Sequence, residues 1–285
     1  NNVTTTPYSG NSAQANIRTA IDLRMPFIRP AGLYGHQIIE PRVQFVAGPM
    51  TGQQTRVPNE DSIDFEFSDA NLFSLNRYTG RDRQEGGTRV DYALRGAWYF
   101  PNGGLLESLV GQSYRIQNDG GPFYANSGVE NRASDVVGRV RMMPVPWLEF
   151  LGRARFTPDS FQRRAFDVSS SAMLGRTTLT GGYFYTVAAP YITPVTDREE
   201  VYGGITQRIG QFWRGSAFGR YGLNTGRPVV AAATVAYDDD CFTLEARFIR
   251  RFAEDPTTNA QYSSNTMLLL RLTLRTVADF GFRAL

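Results

Sequence analysis

The sequence predicts an all-β protein, a transmembrane antiparallel β-barrel, and three observations lead to this prediction. Apolar and polar residues alternate with a period of two in segments of about 10 to 13 residues, the length that a tilted strand needs to cross an outer membrane. The connections between these segments alternate between short and long, as in bacterial barrels. All three tryptophans, Trp98, Trp147 and Trp213, lie beside short connections.

The alternation defines about 13 strands. In the segments 89–100, 148–156, 241–252 and 267–276, one face is mainly apolar and the other carries most of the charges. Strands of soluble proteins usually run about 5 to 6 residues, so these segments are about twice too long for a soluble sheet. The predicted strands cover residues 17–28, 37–47, 88–100, 106–116, 133–143, 147–156, 162–173, 177–187, 199–208, 212–222, 228–237, 241–252 and 265–276.

The cost of placing charge in lipid decides which face of the alternation points outward. An Arg side chain on the lipid face near the middle of the membrane is unfavourable by about 2 to 4 kcal/mol. Arg271 and Arg275 are therefore predicted to point inward. The resulting lumen is lined by charged and hydroxyl side chains and is wet enough to hold a polar plug or a polar headgroup.

The lengths of the connections predict which side of the membrane each of them faces. Short periplasmic turns are predicted at 101–104, 144–146, 174–176, 209–211 and 238–240. Longer outer connections are predicted at 48–87, 117–132, 157–161, 188–198, 223–227 and 253–264. The tryptophans Trp98, Trp147 and Trp213 then form an aromatic girdle at the periplasmic rim, a clustering that a soluble core would not produce.

The composition excludes several other classes of protein. No apolar run approaches the roughly 18 to 20 residues that a membrane helix needs. The net charge of +3 is too balanced for a nucleic-acid surface, although every basic residue is Arg. A single cysteine and a single histidine exclude an internal disulfide framework, a multi-cysteine zinc site and a histidine-rich metal centre. No cofactor is expected.

The beginning of the chain carries neither an initiating Met nor a positively charged leader. We expect either that a signal peptide has been removed or that the chain starts within something longer.

An ordered series of motifs lies within about 45 residues of the longest connection and the strand before it. The strand carries Glu40-Pro41-Arg42, and the connection carries an Asp-Ser segment, a Leu-Phe pair and an Arg-aromatic-x-Gly-x-Asp-Arg segment. This series resembles the barrel domain of the LptD family over about four fifths of the chain. The residues that carry the resemblance in the connection are Asp61, Ser62, Asn71, Leu72, Phe73, Arg77, Gly80, Asp82 and Arg83.

The resemblance implies a fold and a position within a larger protein. The whole of residues 1–285 is expected to be the C-terminal part of a barrel of about 26 strands. A β-jellyroll and the first barrel strands are expected to lie outside this sequence. The family has a lateral gate between the first and last strands, which assigns a gate or closing role to Met267, Leu268, Leu270, Arg271, Leu272, Thr273, Leu274 and Arg275. Residues 277–285 are expected to form a periplasmic tail.

The resemblance also assigns a role to Cys241, which matches a cysteine beside a short turn in the family's penultimate strand. An odd cysteine in an oxidising compartment suggests a partner outside the chain. We expect a disulfide to the missing N-terminal domain, and the alternative is a small buried side chain without a partner. Many members have two adjacent cysteines here, whereas Asp240 and Phe242 flank Cys241. This departure puts one of the family's two inter-domain disulfides in doubt.

The function implied by the resemblance is that of a lipopolysaccharide translocon in the outer membrane of a Gram-negative bacterium. The implied partners are lipopolysaccharide, outer-membrane lipids, an LptE-like lipoprotein plug and a periplasmic LptA-type bridge that acts through the missing N-terminal domain. No nucleic acid is expected. The alternative is a diffusion porin or a TonB-dependent, siderophore-type transporter, which has the same alternation but does not require the loop motifs or the cysteine.

Two further features have ordinary interpretations. The acidic residues Glu60, Asp61, Asp64, Glu66 and Asp69 are interpreted as a solvated outer loop, because a calcium loop needs tighter spacing and a Gly. His36 is interpreted as structural. With no other histidine and no matching nucleophile pair, an enzyme is not expected.

Overall fold

The computed structural model describes residues 17–48, 61–62, 66–117, 123–188, 196–252, 265–274 and, by backbone alone, 278–284. Within these ranges the chain forms strands and one 3-10 turn, Gly32–Tyr34, which is far too short to cross a membrane. The strands are β1 (Thr19–Arg24), β2 (Phe27–Pro30), β3 (His36–Gly48), β4 (Gly87–Tyr99), β5 (Leu105–Arg115), β6 (Val136–Val145), β7 (Leu148–Phe156), β8 (Arg163–Leu174), β9 (Thr177–Thr186), β10 (Arg198–Ile209), β11 (Trp213–Gly222), β12 (Arg227–Asp238), β13 (Phe242–Arg251), β14 (Asn265–Leu274) and β15 (Ala278–Ala284).

The predicted all-β class is confirmed, and the paired strands run antiparallel. The chain divides into two compact units. Unit 1 comprises Asn1–Met142, Gly152–Phe166 and Val187–Val195, and unit 2 comprises Met143–Leu151, Asp167–Thr186 and Thr196–Leu285. In unit 1, β3 pairs with β1, β2 and β4, and β4 pairs with β5. In unit 2, the pairing runs in chain order from β9 to β15.

The strands of unit 1 have one apolar and one polar face, because alternate residues point to opposite sides of a strand. Val43, Leu94 and Val110 lie on the apolar face and are 42%, 49% and 50% exposed. On the polar face, Gln44 lies opposite Asp91, which lies opposite Ser113, and all three are buried. Apolar side chains are thus exposed and polar ones covered, which is the reverse of a soluble sheet and typical of a membrane barrel wall.

Unit 2 shows the same alternation on its own strands. Exposed Leu244 and Leu270 share the apolar face of β13 and β14, while Glu245 lies opposite Arg271 on the polar face. The polar faces of both units therefore carry the charges that the alternation assigned to the inside.

The first predicted strand, 17–28, is interrupted in the structure. It ends at Arg24 and resumes at Phe27, and both pieces pair with β3. Met25 still donates its backbone N–H to the carbonyl of Pro41 at 3.2 Å, but Pro26 has no N–H to continue the ladder.

The prediction of a periplasmic tail at 277–285 is wrong for residues 278–284. These residues form β15, which pairs with β14 in the register Leu270 opposite Phe282 and Leu272 opposite Phe280. The physical reason is that Phe280 and Phe282 alternate with smaller or charged residues, so this segment can add a strand to the edge of β14. Together with the division of the first strand, this raises the number of strands from about 13 to the 15 described.

Candidate functional site

The connection between β3 and β4 does not project away from the sheet in its described part but packs on the polar face of unit 1. We call residues 66–86 the inward loop. Its Phe67 and Leu72 are fully buried, in a region of the sheet whose opposite face is exposed. The apolar cluster that the inward loop forms with the strands and with the connection before β6 consists of Phe67, Leu72, Tyr78, Ala93, Val129 and Val137.

Leu72 is the apolar anchor of the inward loop, and a glycine makes room for it. A Cβ atom on Gly111 of β5 would lie 2.5 Å from Cδ2 of Leu72 and 2.8 Å from Cβ of Ala93. The absence of a side chain at Gly111 therefore lets the loop approach the sheet directly. The adjacent Phe73 lies under the guanidinium of Arg42, which is 3.8 Å from the ring centroid.

A buried ionic cluster fixes the other end of the inward loop to β4. Arg77 donates through Nε to Glu85 at 2.7 Å and forms a second short contact with the same carboxylate, and both side chains are 1% exposed. Arg89 of β4 lies 3.3 Å from the carboxylate of Glu85. The backbone N–H of Glu85 donates to the side chain of Asn76 at 3.0 Å.

The cluster continues along the polar face. Arg89 donates to Asp91 at 3.0 Å, Asp91 accepts from the hydroxyl of Ser113 at 2.6 Å, and Arg115 lies 3.6 Å from Glu85. Burial alone would raise the pKa of Glu85, but the surrounding Arg77 and Arg89 outweigh it and lower the pKa. Glu85 is therefore the shared counter-charge for Arg77, Arg89 and Arg115.

Part of the family-like motif forms a clamp at the exposed side of the inward loop, namely Asp61, Ser62, Gly80, Asp82 and Arg83. The carboxylate of Asp61 accepts from the backbone N–H groups of Arg81 at 2.8 Å and Asp82 at 3.0 Å, which lower its pKa to about 2. A Cβ on Gly80 would lie 2.1 Å from Oδ1 of Asp61 and 2.5 Å from its backbone oxygen, so this position favours a glycine. Ser62 accepts from the N–H of Arg83 at 3.3 Å.

A second ionic attachment of the inward loop is more accessible to solvent. The carboxylate of Asp69 lies 3.2 Å from Arg139 of β6 and 3.6 Å from Arg153 of β7. Arg139 also donates to Glu107 at 2.6 Å, and Glu107 accepts from Arg95 at 2.6 Å. The strands and the loop are thus joined by a chain of alternating charges on the polar face.

The connection before β6 supports the inward loop from the side. Phe67 donates its N–H to the carbonyl of Ser127 at 3.3 Å. Arg155 is buried and lies 3.5 Å from Asp135 and 3.6 Å from Glu66. Burial raises the pKa of Asp135 to about 6 despite Arg155, and Glu130 adds to the rise.

The interpretation of the acidic residues as a solvated loop is wrong in part. The side chain of Asp69 is 2% exposed and ion-paired, and Asp61 serves the clamp. Glu66 is half exposed, and Glu60 and Asp64 lie outside the described residues. Glu85 was not predicted, and neither was the ionic role of Arg89, Asp91 and Arg115. The alternation along β4 and β5 placed Arg89, Asp91 and Arg115 on the polar face, but no local pattern indicated that a loop would cover them.

The short turns of each unit carry the remaining predicted residues. Cys241 is exposed and directly precedes β13. In the sequence it comes directly after Asp240, which is one of the residues that line a cleft of about 460 Å³. The cleft is lined by Arg208, Gln211, Phe212, Trp213, Arg214, Asp238, Asp239 and Asp240.

Trp98 lies near the end of β4, Trp147 directly precedes β7 and Trp213 begins β11, so each tryptophan adjoins a short turn. His36 stacks on Tyr99, with the ring centroids 4.6 Å apart.

The segment assigned to the gate forms most of β14, while Arg275 lies outside the described residues. β14 pairs with β13 on one side and β15 on the other. It is therefore not the last strand of the chain, which was the premise of the closing role.

Comparisons with known proteins agree with one another. The family model described as LptD, LPS transport system D, matches residues 2–213. Proteins named LPS-assembly protein LptD are similar to this chain in Coxiella burnetii (23% identical, covering 86% of this chain and 30% of the relative), Paraburkholderia xenovorans (26%, 89% and 33%) and Burkholderia lata (26%, 95% and 35%). The chain thus spans about a third of the length of these relatives.

Proposed function

This chain belongs to the LptD family, and on that premise we propose that it is the C-terminal part of an outer-membrane barrel that inserts lipopolysaccharide into the outer leaflet. The observation that carries the proposal is the division of each unit into an exposed apolar face and a charged polar face. The name of the relatives supplies the substrate. The jellyroll and the first barrel strands would lie in the remaining two thirds of the protein.

The two faces suggest how such a molecule handles an amphipathic glycolipid. The apolar face would contact the hydrocarbon of the membrane, and the polar face would line a water-filled interior for the sugars. The acyl chains would leave through a lateral gate between the first and last barrel strands. Because β15 follows β14, the gate role assigned to 267–275 would be shared with or passed to β15.

The partners belong to the same proposal. An LptE-like lipoprotein would plug the interior, and an LptA-type periplasmic bridge would deliver lipopolysaccharide through the N-terminal domain. The inward loop already covers part of the polar face of unit 1, so the plug and the substrate would use the polar surface that the loop leaves open.

Cys241 would join this chain to the N-terminal domain through a disulfide. Its exposure beside a short turn supports this role, because a partner thiol has access to it. In full-length protein from cells, reduction is expected to change the mobility on a denaturing gel, and Cys241→Ser is expected to remove that change. An unchanged mobility in both comparisons would exclude the disulfide.

Site-specific photo-crosslinking in living cells tests the transport proposal. A photoreactive amino acid at Arg271 or Thr273, on the polar face of β14, is expected to crosslink lipopolysaccharide in transit. The matched positions Leu270 and Leu272 lie on the apolar face of the same strand and are expected to crosslink membrane lipid instead. Ion conduction by the reconstituted protein without any crosslink to lipopolysaccharide would contradict the proposal.

A further inference from the structure

The two ionic attachments of the inward loop differ in their access to solvent. At the first, Arg77 and Glu85 are both 1% exposed. At the second, Asp69 is 2% exposed, but its partners Arg139 and Arg153 are 28% and 48% exposed. Solvent therefore reaches the arginines of the second attachment and not those of the first.

We propose that Arg139 and Arg153 form a binding site for a phosphate group, which Asp69 of the inward loop occupies when no ligand is bound. The proposal rests on the proposed function, because the phosphate would be one carried by the lipopolysaccharide that passes along the polar face.

The geometry is that of an anion held by two cations. Oδ2 of Asp69 lies 3.2 Å from Arg139, and Oδ1 lies 3.6 Å from Nε of Arg153. Each carboxylate oxygen thus faces a different guanidinium, as two oxygens of one phosphate would. Arginine is the side chain best suited to this task, because its planar donors match carboxylate and phosphate oxygens alike.

The turn that presents Asp69 is held by hydrogen bonds of its neighbours. Ser68 donates its N–H to the side chain of Asn71 at 2.9 Å, and Asn71 donates its side-chain N–H to the carbonyl of Glu66 at 2.8 Å. Ala70 donates to the hydroxyl of Ser68 at 3.3 Å. These contacts hold the turn without the carboxylate of Asp69, which therefore points to the two arginines.

The charges around the site favour replacement of Asp69 by a stronger anion. The ionic chain contains three arginines, Arg95, Arg139 and Arg153, against the carboxylates of Glu40, Glu107 and Asp69. It is neutral with Asp69 in place and has one net positive charge without it. A phosphate ester carries about −1.5 to −2 charges at neutral pH, whereas a carboxylate carries one. Arg139 would stay in position because Glu107 continues to hold it at 2.6 Å.

The test measures binding of lipopolysaccharide to the full-length protein in detergent. The probes are purified lipopolysaccharide, the same material after chemical dephosphorylation, and inorganic phosphate. Asp69→Asn removes the competing charge and keeps the shape of the side chain. It is expected to tighten binding of phosphorylated lipopolysaccharide on the order of tenfold and to leave binding of the dephosphorylated form unchanged. Adding Arg139→Gln and Arg153→Gln to Asp69→Asn is expected to abolish the gain.

Asp238→Asn in unit 2 is the matched control. Asp238 lies 3.3 Å from Nε of Arg214, which is 38% exposed, so this change also removes a carboxylate from an accessible arginine. No comparable gain is expected. An equal gain in both variants would overturn the site, because loss of any carboxylate would then raise the affinity for anions. A gain of Asp69→Asn for the dephosphorylated form would also overturn it.

Binding of inorganic phosphate distinguishes a site for free phosphate from a site for the phosphate groups of lipopolysaccharide. Direct binding of inorganic phosphate to Asp69→Asn, lost with the arginines, would show a general phosphate site. A gain confined to phosphorylated lipopolysaccharide would show a site for the glycolipid. Wild-type protein that binds no lipopolysaccharide would refute the proposed function, and the phosphate measurement would still test the site. Retention of the folded, heat-modifiable form on gels shows that each variant is folded.

Discussion

The polar faces of the two units carry similar residue types but differ in what covers them. In unit 1 the inward loop and the connection before β6 cover the polar face, so that Arg77, Glu85 and Asp91 are buried. In unit 2 the arginines of the polar-face ion pairs stay partly exposed, as in Arg220 with Glu200 and Arg247 with Glu245. The described connections of unit 2 at 210–212, 223–226 and 239–241 are too short to fold back over the strands.

Alternation alone therefore does not decide how much an ion pair contributes to stability. A buried pair loses its hydration, so the removal of one partner leaves an uncompensated charge in the interior. An exposed pair is screened by water and contributes little. The same type of substitution should therefore have large effects in unit 1 and small ones in unit 2.

The largest effect is expected for Glu85→Gln. This substitution leaves Arg77, Arg89 and Arg115 without their shared counter-charge and should destabilise unit 1 by about 3 to 5 kcal/mol. The measurement is the temperature at which the full-length protein loses its folded, detergent-resistant form. Glu245→Gln in unit 2 should cost less than about 1 kcal/mol. Equal losses for the two variants would remove the distinction between the covered and the open face.

The second-largest effect is expected for Leu72→Ala, which removes most of the buried side chain that packs beside Gly111. Removing a fully buried Leu side chain costs about 2 to 4 kcal/mol, because contacts are lost and a cavity remains. Leu94→Ala on the apolar face of β4 is the control and should cost less than about 1 kcal/mol, since this side chain is already half exposed. Limited proteolysis of the intact protein should show whether cleavage within residues 66–86 increases for Leu72→Ala alone.

A smaller effect is expected for Gly80→Ala in the clamp. The added Cβ would lie 2.1 Å from Oδ1 of Asp61, so the turn must open or the carboxylate must leave the N–H groups of Arg81 and Asp82. Overpacking of this kind costs about 1 to 3 kcal/mol. Gly215→Ala in unit 2 meets no atom within 4 Å and should be close to neutral in the same thermal assay. A neutral Gly80→Ala would contradict the role of the clamp.

The smallest effect is a pH dependence from Asp135, which lies in the connection before β6. Its pKa is raised to about 6 by burial, whereas the unfolded chain has a value of about 3.9. The folded state therefore prefers the protonated form of Asp135. The contribution of this group to the free energy of unfolding is fully present below about pH 4 and is lost as the pH rises through about 6. Asp135→Asn mimics the neutral form and should stabilise the protein at pH 8 by about 1 kcal/mol, with screening by solvent limiting the effect. Thermal unfolding at pH 4 should show no difference from the wild type, and a larger gain at pH 4 than at pH 8 would contradict the assignment.

Much of the strand pattern could be predicted from the sequence, because period-two alternation is a local property. The bounds of β3, β4 and β9 differ from the predicted ones by a residue or so. β15 was missed although Phe280 and Phe282 alternate with small and charged residues. A short segment after an apparently final strand gives no local sign of whether it pairs or extends away.

The site could be predicted only in outline. The resemblance identified Asp61, Gly80 and Asp82, but not the reason for their spacing, which is a contact between segments about 20 residues apart. The pairing of Arg77 with Glu85 beside Arg115 depends on the loop turning inward. That path is set by tertiary packing of Leu72 against Gly111, and no periodic signal encodes it.

Spin labelling of alternate positions in lipid bilayers tests the division into apolar and polar faces most directly. Cysteines are introduced one at a time at Thr234, Val235, Leu244 and Glu245 in the full-length protein with Cys241→Ser. Labels at Val235 and Leu244 are expected to collide with lipid-soluble oxygen, and labels at Thr234 and Glu245 with a water-soluble nickel complex. Equal access of the nickel complex to all four positions would contradict a wall that separates lipid from a water-filled interior.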